Sequence, residues 1–245
     1  MKAIVLIPAR MASTRLPGKP LADIAGAPMI VRVWQQAVAA GIGPVVVAAG
    51  EREIVDAIVA KGGRAILTAP DLPSGTDRIF AALQLIDAAN QYDVVVNVQG
   101  DLPALDPAYV RVVSETLTAS GADMATLVSD IRDAADNDNP NVPKAVVTWT
   151  GDRGRALYFT RARAPHGEGP LLVHIGIYAY TRAALARFVA LPPSPLEKRE
   201  KLEQLRALEA GMSIAVARVD SVPLAVDTPS DLERARNLLG KKTAS

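Results

Sequence analysis

Short runs of β-branched residues alternate along the first half of the chain with longer amphipathic segments. Four apolar runs predict strands at Ala3–Pro8, Val45–Ala48, Ala65–Leu67 and Val94–Val98. Two of these runs contain three valines in a row and lack polar alternation, which is typical of strands buried on both faces of a parallel sheet. The pattern therefore predicts a sheet that is covered by helices on both sides.

The amphipathic segments predict helices, and several of them have recognisable ends. Gly41 and Gly62 stop the first two helices, because glycine accepts the left-handed conformation that closes a helix. Thr228, Pro229 and Asp231 give the last helix a capping residue, a proline in its first turn and a nearby acid. The predicted helices span Pro28–Ala40, Glu51–Lys61, Thr76–Ala89, Pro107–Ala119, Thr181–Leu191, Leu196–Ala210 and Pro229–Leu239.

The order of the elements becomes less regular after residue 130. Further strands are predicted at Met124–Val128, Ala145–Trp149, Val173–Tyr180 and Ile214–Val219. We expect an α/β fold with a doubly wound, mixed and mostly parallel sheet, and a small antiparallel excursion at residues 130–180. No repeat or flexible linker divides the sequence, so a single domain over residues 1–245 is predicted.

Composition excludes several classes of partner. The 245 residues include 27 Lys+Arg and 26 Asp+Glu, and the net charge of +1 creates no basic field for nucleic acid or an anionic membrane. No apolar run is long enough to span a membrane, and the run at the N-terminus stops at Pro8, too early for an export signal. We therefore expect neither a nucleic-acid nor a membrane partner.

Metal chemistry is restricted by the absence of cysteine and by the presence of only two histidines, His166 and His174. Thiolate and multi-histidine sites are excluded within one chain. Any metal would be held by oxygen ligands, which favours Mg²⁺ or Mn²⁺.

Three cations, Arg10, Arg15 and Lys19, follow the first predicted strand within ten residues. Ligands of open parallel sheets bind at the carboxyl ends of the strands, and arginine and lysine side chains suit phosphate oxygens. The glycine spacing matches neither a P-loop nor a dinucleotide-binding loop. A polyphosphate site of another kind is favoured over a merely solvated basic loop.

Two acids follow other apolar runs. Asp101 comes after Gly100 at the end of the strand Val94–Val98, and Asp227 precedes the last helix. Each acid alone is typical of a turn or a helix cap. Together they would supply the carboxylates that Mg²⁺ takes in addition to water and substrate oxygens.

Other polar residues have ordinary structural interpretations on pattern alone. Ser74 to Arg78 is typical of a helix start, although it also follows a strand end where a base or ribose could bind. His174 lies in an apolar strand and is typical of a core residue. Glu203 falls opposite Leu205 on a predicted helix, which indicates a solvated face.

An ordered set of motifs runs through nearly the whole chain. It comprises Ile7–Arg10, Ser13–Leu21, Gly26, Pro28–Ile30, Ser74–Thr76, Val96–Asp101, Ala156–Phe159, His174–Tyr178, Pro193–Glu197, Leu202–Arg206 and Val226–Pro229. In these motifs the chain resembles the 3-deoxy-manno-octulosonate (Kdo) cytidylyltransferases, also called CMP-Kdo synthetases.

The resemblance implies a nucleotide-diphospho-sugar transferase fold and a reaction. CTP and Kdo, an eight-carbon sugar acid, would give CMP-Kdo and pyrophosphate for lipopolysaccharide synthesis. It also implies a cytoplasmic homodimer that uses Mg²⁺, with the sugar site and the dimer contacts in the region of residues 130–180.

The resemblance further implies roles for individual side chains. Arg10, Arg15 and Lys19 would bind the triphosphate, while Asp101 and Asp227 would hold Mg²⁺; Arg15, Lys19 and both acids would be the catalytic residues. Ser74, Arg78 and Gln99 would contact the nucleotide, and Arg161, His174, Tyr178, Glu203 and Gln204 would line the sugar-acid pocket. For His174 and Glu203 this reverses the structural interpretation above.

Three departures from the family pattern and two alternatives remain. Leu102 replaces a common glutamate, Ala48-Ala49-Gly50 replaces a more polar segment, and the stretch Ala162–Val173 is shorter than in some members. The alternatives are a cytidylyltransferase for another acidic sugar and a non-catalytic nucleotide-binding regulator. Two acids suited to a metal argue against the regulator, since simple binding has little need of both.

Overall fold

The computed structural model describes residues 1–13 and 15–243; Thr14, which belongs to the basic loop motif, lies outside the described residues. The chain divides into two compact units. Unit 1 comprises residues 1–111 and 223–245, and unit 2 comprises residues 112–222. The N-terminal and C-terminal segments of the chain therefore belong to the same unit.

The elements follow one another in this order along the chain. The strands are β1 (Ala3–Ala9), β2 (Asp23–Ile24), β3 (Ala27–Pro28), β4 (Val45–Ala49), β5 (Arg64–Leu67), β6 (Val94–Asn97), β7 (Met124–Asp130), β8 (Lys144–Thr150), β9 (Arg153–Thr160), β10 (Leu172–Thr181) and β11 (Ile214–Arg218). The helices are α1 (Met29–Ala39), α2 (Arg52–Val59), α3 (Gly75–Ile86), α4 (Pro107–Ser120), α5 (Arg182–Ala190), α6 (Pro195–Glu200), α7 (Leu205–Glu209) and α8 (Pro229–Thr243). Short 3₁₀ turns occupy Lys19–Leu21 and Ala134–Asn137.

The sheet of unit 1 has the strand order β5-β4-β1-β6, and every neighbouring pair is parallel. Val5 in the centre of β1 lies opposite Val45 on one side and Val96 on the other. All residues of β4 and β6 are buried, as the uninterrupted valine runs predict. The four strands predicted for the first half are confirmed, and their carboxyl ends lie at the same edge.

The C-terminal helix α8 packs against the N-terminal part of unit 1. A buried cluster joins Val226, Leu232, Ala235 and Leu239 from the end of the chain to Ile24 and Met29 near its start. Leu16, from the basic loop, packs against the same cluster. Burial of apolar side chains at about 25 cal/mol per Å² is the main source of such docking energy. This packing fixes the position of the segment that contains Asp227.

Unit 2 has the strand order β10-β7-β11-β9-β8. Its neighbouring strands are antiparallel except for the parallel pair β11 and β7, and β8 also pairs with β10. The expected mixed sheet with antiparallel strands in the second half is confirmed. The sequence pattern missed β9, because its buried face begins with Gly154 and Ala156 while Arg153, Arg155 and Leu157 are exposed. An apolar run is therefore hard to see in this strand.

The single helix predicted over Leu196–Ala210 is wrong, because α6 and α7 are separate. Lys201 closes α6 with a left-handed backbone conformation (φ 55°), which a continuing helix cannot contain. Ser194 and Glu197 form a reciprocal capping box at the start of α6, and the Nε of Arg206 donates to the Glu197 carboxylate at 2.8 Å. The break places Glu203 and Gln204 in a connection between two short helices.

Helix α3 ends three residues before its predicted end. The Asp87 carboxylate accepts hydrogen bonds from the backbone amides of Gln91 and Tyr92, at 2.8 and 3.2 Å, so it stabilises a turn where the helix would have continued.

Within the residues that the structure describes, no helix is both long and apolar enough to cross a bilayer. That a single domain spans residues 1–245 stays a prediction.

Candidate active site

The basic loop after β1 is held in place by backbone contacts. The amide of Met11 donates to the carboxylate of Glu51 at 2.8 Å, and the amide of Leu16 donates to Ser13 Oγ at 3.3 Å. Gly18 adopts a left-handed conformation (φ 68°) before the 3₁₀ turn that begins at Lys19. These contacts hold the described residues of the loop on both sides of Thr14.

Lys19 joins the two acids that the sequence singled out. Its Nζ lies 3.0 Å from Asp101 Oδ2 and 3.0 Å from Asp227 Oδ1. One guanidinium nitrogen of Arg15 lies 3.1 Å from the other carboxylate oxygen of Asp227. Two cations and two carboxylates thus converge from three distant parts of the sequence.

The electrostatics of this group are dominated by Lys19. Burial alone would lower the pKa of its ammonium, but hydrogen bonds and charges from Asp101 and Asp227 outweigh burial and raise the pKa above its usual value. Lys19 is therefore charged at neutral pH. The pair of Arg15 and Asp227 is largely solvated, with 65% and 41% of the two side chains exposed, and contributes little to stability.

Close backbone packing places Asp101 beside the basic loop. A Cβ atom at Gly100 would lie 2.6 Å from the carbonyl oxygen of Pro8, so only glycine allows the two strand ends to come this close. The amide of Val226 donates to the carbonyl of Asp101 at 2.9 Å, which ties the segment before α8 to the end of β6. The backbone therefore positions both acids.

A cleft of about 680 Å³ lies over these strand ends in unit 1. Most of the predicted phosphate, nucleotide and metal residues line it: Arg10, Arg15, Lys19, Ser74, Arg78, Gln99 and Asp101. Asp227 joins them through Lys19 and Arg15. The structure thus brings together the side chains that the sequence placed at separate strand ends.

Two of these side chains also hold the local structure. Ser74 Oγ caps α3 by accepting from the amide of Asp77 at 3.1 Å. Arg78 is 98% buried, and its guanidinium donates to Thr68 Oγ1 and to the carbonyls of Ala69 and Pro70 at 2.7, 3.0 and 3.1 Å. Arg78 therefore fixes the 68–70 segment and exposes little of itself.

In unit 2, His174 lies in a group of aromatic and polar side chains. Its Nε2 is 3.0 Å from Thr126 Oγ1, and its Nδ1 is 3.4 Å from the amide nitrogen of Gln204. The ring meets Phe159 edge-on, with 4.8 Å between centroids. Burial lowers the pKa of His174 to about 3, so the imidazole is neutral at physiological pH.

Tyr178 and Glu203 belong to the same group. The rings of His174 and Tyr178 are 5.5 Å apart, and burial, followed by the negative charge of Glu203, raises the pKa of the Tyr178 phenol. The Glu203 carboxylate lies 4.0 Å from the guanidinium of Arg206. The expected pocket residues His174, Tyr178, Glu203 and Gln204 therefore lie close together.

Arg161 makes a different set of contacts. Its guanidinium donates to the backbone carbonyls of Glu200, Lys201 and Pro140 at 2.7, 3.3 and 2.8 Å. Its backbone amide donates to the Glu200 carboxylate at 2.8 Å. In this structure Arg161 connects β9 to the end of α6, and its place in a sugar pocket stays a prediction.

Two residues of these sites were not found from the sequence. Glu51, which holds the basic loop, has the pattern of an ordinary helix start. Thr126 has the β-branched side chain that any buried strand favours. Neither carries a sequence signal that distinguishes it from a structural residue, because the role depends on a partner 40 or 48 residues away.

The family model described as cytidylyltransferase matches residues 4–214. Together with the cleft, in which cations and carboxylates meet at the ends of parallel strands, it defines the chain as a nucleotidyltransferase.

Individual relatives identify the family within the nucleotidyltransferases. The 3-deoxy-manno-octulosonate cytidylyltransferase of Parvibaculum lavamentivorans is 63% identical over 241 residues, which cover 98% of this chain and 93% of the relative. The enzyme of the same name from Rhodospirillum centenum is 60% identical over 244 residues, covering 99% and 95%. A solved CMP:2-keto-3-deoxy-manno-octonic acid synthetase complexed with CTP matches with a TM-score of 0.92 at 39% identity, over 99% of this chain and 100% of that one. The chain belongs to the 3-deoxy-manno-octulosonate cytidylyltransferase family, and the predicted α/β fold is confirmed.

The contact between Gly100 and Pro8 gives a first prediction. Gly100→Ala should destabilise the protein by about 1–3 kcal/mol, because the added methyl group overlaps a backbone carbonyl that cannot move aside freely. Urea unfolding measures the change. Gly240→Ala, in α8, has no atom within 4 Å of the added Cβ and is the matched control; it should be neutral or stabilising. Equal stability of the two variants would contradict the close approach of the strand ends.

Proposed function

We propose that the protein transfers the cytidylyl group of CTP to Kdo and releases pyrophosphate, the step that supplies activated Kdo for lipopolysaccharide synthesis. The observation that carries the proposal is the meeting of Lys19, Arg15, Asp101 and Asp227 at one cleft. This group combines positive charge for a triphosphate with carboxylates for a metal. Membership in the family and the CTP complex of its solved relative support the same reaction.

The reaction is a direct displacement at phosphorus. The anomeric oxygen of Kdo forms a bond to the α-phosphorus of CTP, and the bond from that phosphorus to the oxygen shared with the β-phosphate breaks. Pyrophosphate leaves with the electron pair, and the hydroxyl proton passes to solvent. Catalysis of this kind depends on positioning and charge stabilisation and needs no covalent enzyme intermediate.

The cations of the basic loop would bind the triphosphate. Arg10 and Arg15 are exposed at the cleft and can turn toward phosphate oxygens without breaking buried structure. Lys19 would exchange its contacts with the acids for contacts with the leaving pyrophosphate. Positive charge at this place stabilises the negative charge that develops as the bond to the β-phosphate breaks.

The two acids fit a magnesium ion. One oxygen of Asp101 and one of Asp227 already lie 3.0 Å from a single ammonium, so both carboxylates can share one cation. Mg²⁺ takes one or two carboxylates and completes its coordination with water and phosphate oxygens. Bound to Asp101 and Asp227, Mg²⁺ would neutralise charge on the α-phosphate and lower the pKa of the attacking hydroxyl.

The remaining site residues have narrower roles in this proposal. Gln99 and Ser74 would contact the ribose or the base from the cleft wall, and Arg78 would act by holding the 68–70 segment. The group in unit 2, His174, Tyr178, Glu203 and Gln204, would bind the hydroxyl groups of the sugar acid, with Arg161 supporting the end of β9. We further propose a cytoplasmic homodimer in which residues 1–245 form a single domain, as the family resemblance implies.

Release of pyrophosphate tests the function directly. The purified protein should release pyrophosphate when it is given CTP, Kdo and Mg²⁺ together, and not when any one of them is omitted. Exchange of CTP for UTP, and of Kdo for other sugar acids, separates this activity from that of a cytidylyltransferase with another acceptor. Binding of CTP without pyrophosphate release from any acceptor would identify a nucleotide-binding regulator instead.

The phosphate role of Arg15 predicts a kinetic effect. Arg15→Ala should lower turnover by about 10²–10³-fold, the range seen when one charge-stabilising donor is removed from a transition state. Steady-state pyrophosphate release measures the loss. Arg234→Ala is the matched control, since Arg234 is also an exposed arginine that pairs with an aspartate, Asp231 in α8. If Arg15→Ala turned over at the wild-type rate, the proposed contact of Arg15 with the triphosphate would be contradicted.

The shared-cation arrangement makes a prediction about metal binding in the absence of nucleotide. Asp101→Asn should weaken Mn²⁺ binding at least about tenfold, whereas Lys19→Met should tighten it, because the competing ammonium between the carboxylates is gone. Titration of Mn²⁺ followed by electron paramagnetic resonance measures free and bound metal without catalysis. Asp93→Asn, at the amino end of β6, serves as the control. Weaker binding in Lys19→Met would contradict the proposal that both acids share one cation position.

A further inference from the structure

We infer that Thr126, buried in β7, is a positioning residue of the sugar-acid site: its hydroxyl sets the tautomer of His174 and thereby the orientation of the Gln204 amide. The inference deepens the proposed function, since it rests on that proposal for the contact of His174 and Gln204 with the sugar acid. Thr126 itself is fully buried and would not touch the substrate.

The position of Thr126 results from an irregularity in the pairing of β10 with β7. Ile175 lies opposite Leu127, but Tyr178, three residues further along β10, lies opposite Thr126, the next residue of β7. β10 therefore contains two extra residues at this point, which is a bulge. The carbonyl oxygens of Ile175 and Ile177 both lie near Thr126 Oγ1, at 3.1 and 2.9 Å.

The single hydroxyl proton of Thr126 decides the direction of its other hydrogen bond. Carbonyl oxygens only accept, so a proton donated to Nε2 would leave both carbonyl oxygens facing lone pairs of Oγ1, whereas donation to Ile175 or Ile177 leaves only one. Donation to a carbonyl is therefore favoured. In the third contact, 3.0 Å to Nε2 of His174, the hydroxyl oxygen must then accept. Nε2 therefore carries the proton and donates it to Thr126.

The tautomer of His174 in turn orients Gln204. Because the imidazole is neutral and Nε2 carries the proton, Nδ1 has a free lone pair and accepts from the Gln204 amide nitrogen at 3.4 Å. The amide oxygen, on the other side of the same carbon, is then directed away from the imidazole. In the proposed site, the Gln204 oxygen would therefore serve as an acceptor, which suits a donating hydroxyl group of the sugar acid and does not suit its carboxylate.

Without the Thr126 hydroxyl, neither the tautomer of His174 nor the orientation of the Gln204 amide would be fixed. Without an acceptor at Nε2, the two neutral tautomers of His174 become similar in energy, and the Gln204 amide can flip to present its nitrogen. A substrate hydroxyl that donates to the Gln204 oxygen would then lose its acceptor and bind less tightly, while CTP binding in the cleft of unit 1 would be unaffected. A residue that only stabilised the fold would change both substrates' kinetics together.

Nitrogen-15 NMR of histidine-labelled protein tests the tautomer without any substrate. The chain has two histidines, and His166→Gln identifies the signals of His174 by removing the others. At neutral pH we expect the wild-type His174 to show a protonated Nε2 and an unprotonated Nδ1. A protonated Nδ1, or an imidazolium, would overturn the inference whatever the activity of the enzyme.

Kinetics of two variants test the functional consequence. Thr126→Val keeps the shape but removes the hydroxyl, and it should raise KM for Kdo by about 5–100-fold while KM for CTP changes less than about twofold. Thr126→Ser keeps the hydroxyl and should remain within about threefold of wild type. An equal rise in KM for Kdo and for CTP in Thr126→Val would contradict the positioning role. A rise in KM for Kdo in Thr126→Ser as large as that in Thr126→Val would contradict it as well.

The two experiments also separate this inference from the proposed function. If the wild-type protein released no pyrophosphate with Kdo, the proposed function would fail, and the NMR experiment would still decide the tautomer of His174. If Thr126→Val failed to fold, the NMR result on the wild type and the kinetics of Thr126→Ser would still test the inference. An altered tautomer in Thr126→Ser together with normal kinetics would overturn it.

Discussion

The arrangement of unit 1 depends on one contact group, the ammonium of Lys19 between the carboxylates of Asp101 and Asp227. The partners lie 82 and 208 residues away along the chain, so the contacts exist only if the two ends of the sequence meet. The apolar cluster under α8 brings them together, and Leu16 anchors the basic loop to the same cluster. Apolar packing next to the two charged segments therefore sets the geometry of the charges.

The same contact group resolves an electrostatic conflict. Two carboxylates that are close enough to share a cation repel each other, and partial burial strengthens the repulsion because less water screens it. Lys19 compensates this repulsion as a tethered cation whose side chain is only 15% exposed. When a nucleotide brings its own counterions, the ammonium can move to the phosphates without leaving the acids unpaired.

Much of this organisation follows from the sequence pattern. Buried parallel strands appear as valine runs, and the end of each run indicates where polar side chains gather, which is how Arg10, Lys19 and Asp101 were found. Other features depend on contacts that the pattern does not contain. Strand β9 has glycine and alanine on its buried face, so no apolar run indicates it. The break between α6 and α7 requires a left-handed backbone at Lys201, which lysine does not favour and the sequence therefore does not indicate. Thr126 gains its role only from a bulge in another strand.

The two groups of site residues differ in the way each would recognise its ligand. The cations of unit 1 are partly solvated, so they can rearrange around a highly charged triphosphate. In the group of unit 2, His174 and Tyr178 are uncharged near neutral pH, because burial lowers the pKa of His174 and raises that of Tyr178. Fixed donors and acceptors discriminate between hydroxyl groups by direction, which charge alone cannot do. In the proposed site, selectivity for one sugar acid over another would therefore depend on the orientation of neutral dipoles such as the Gln204 amide.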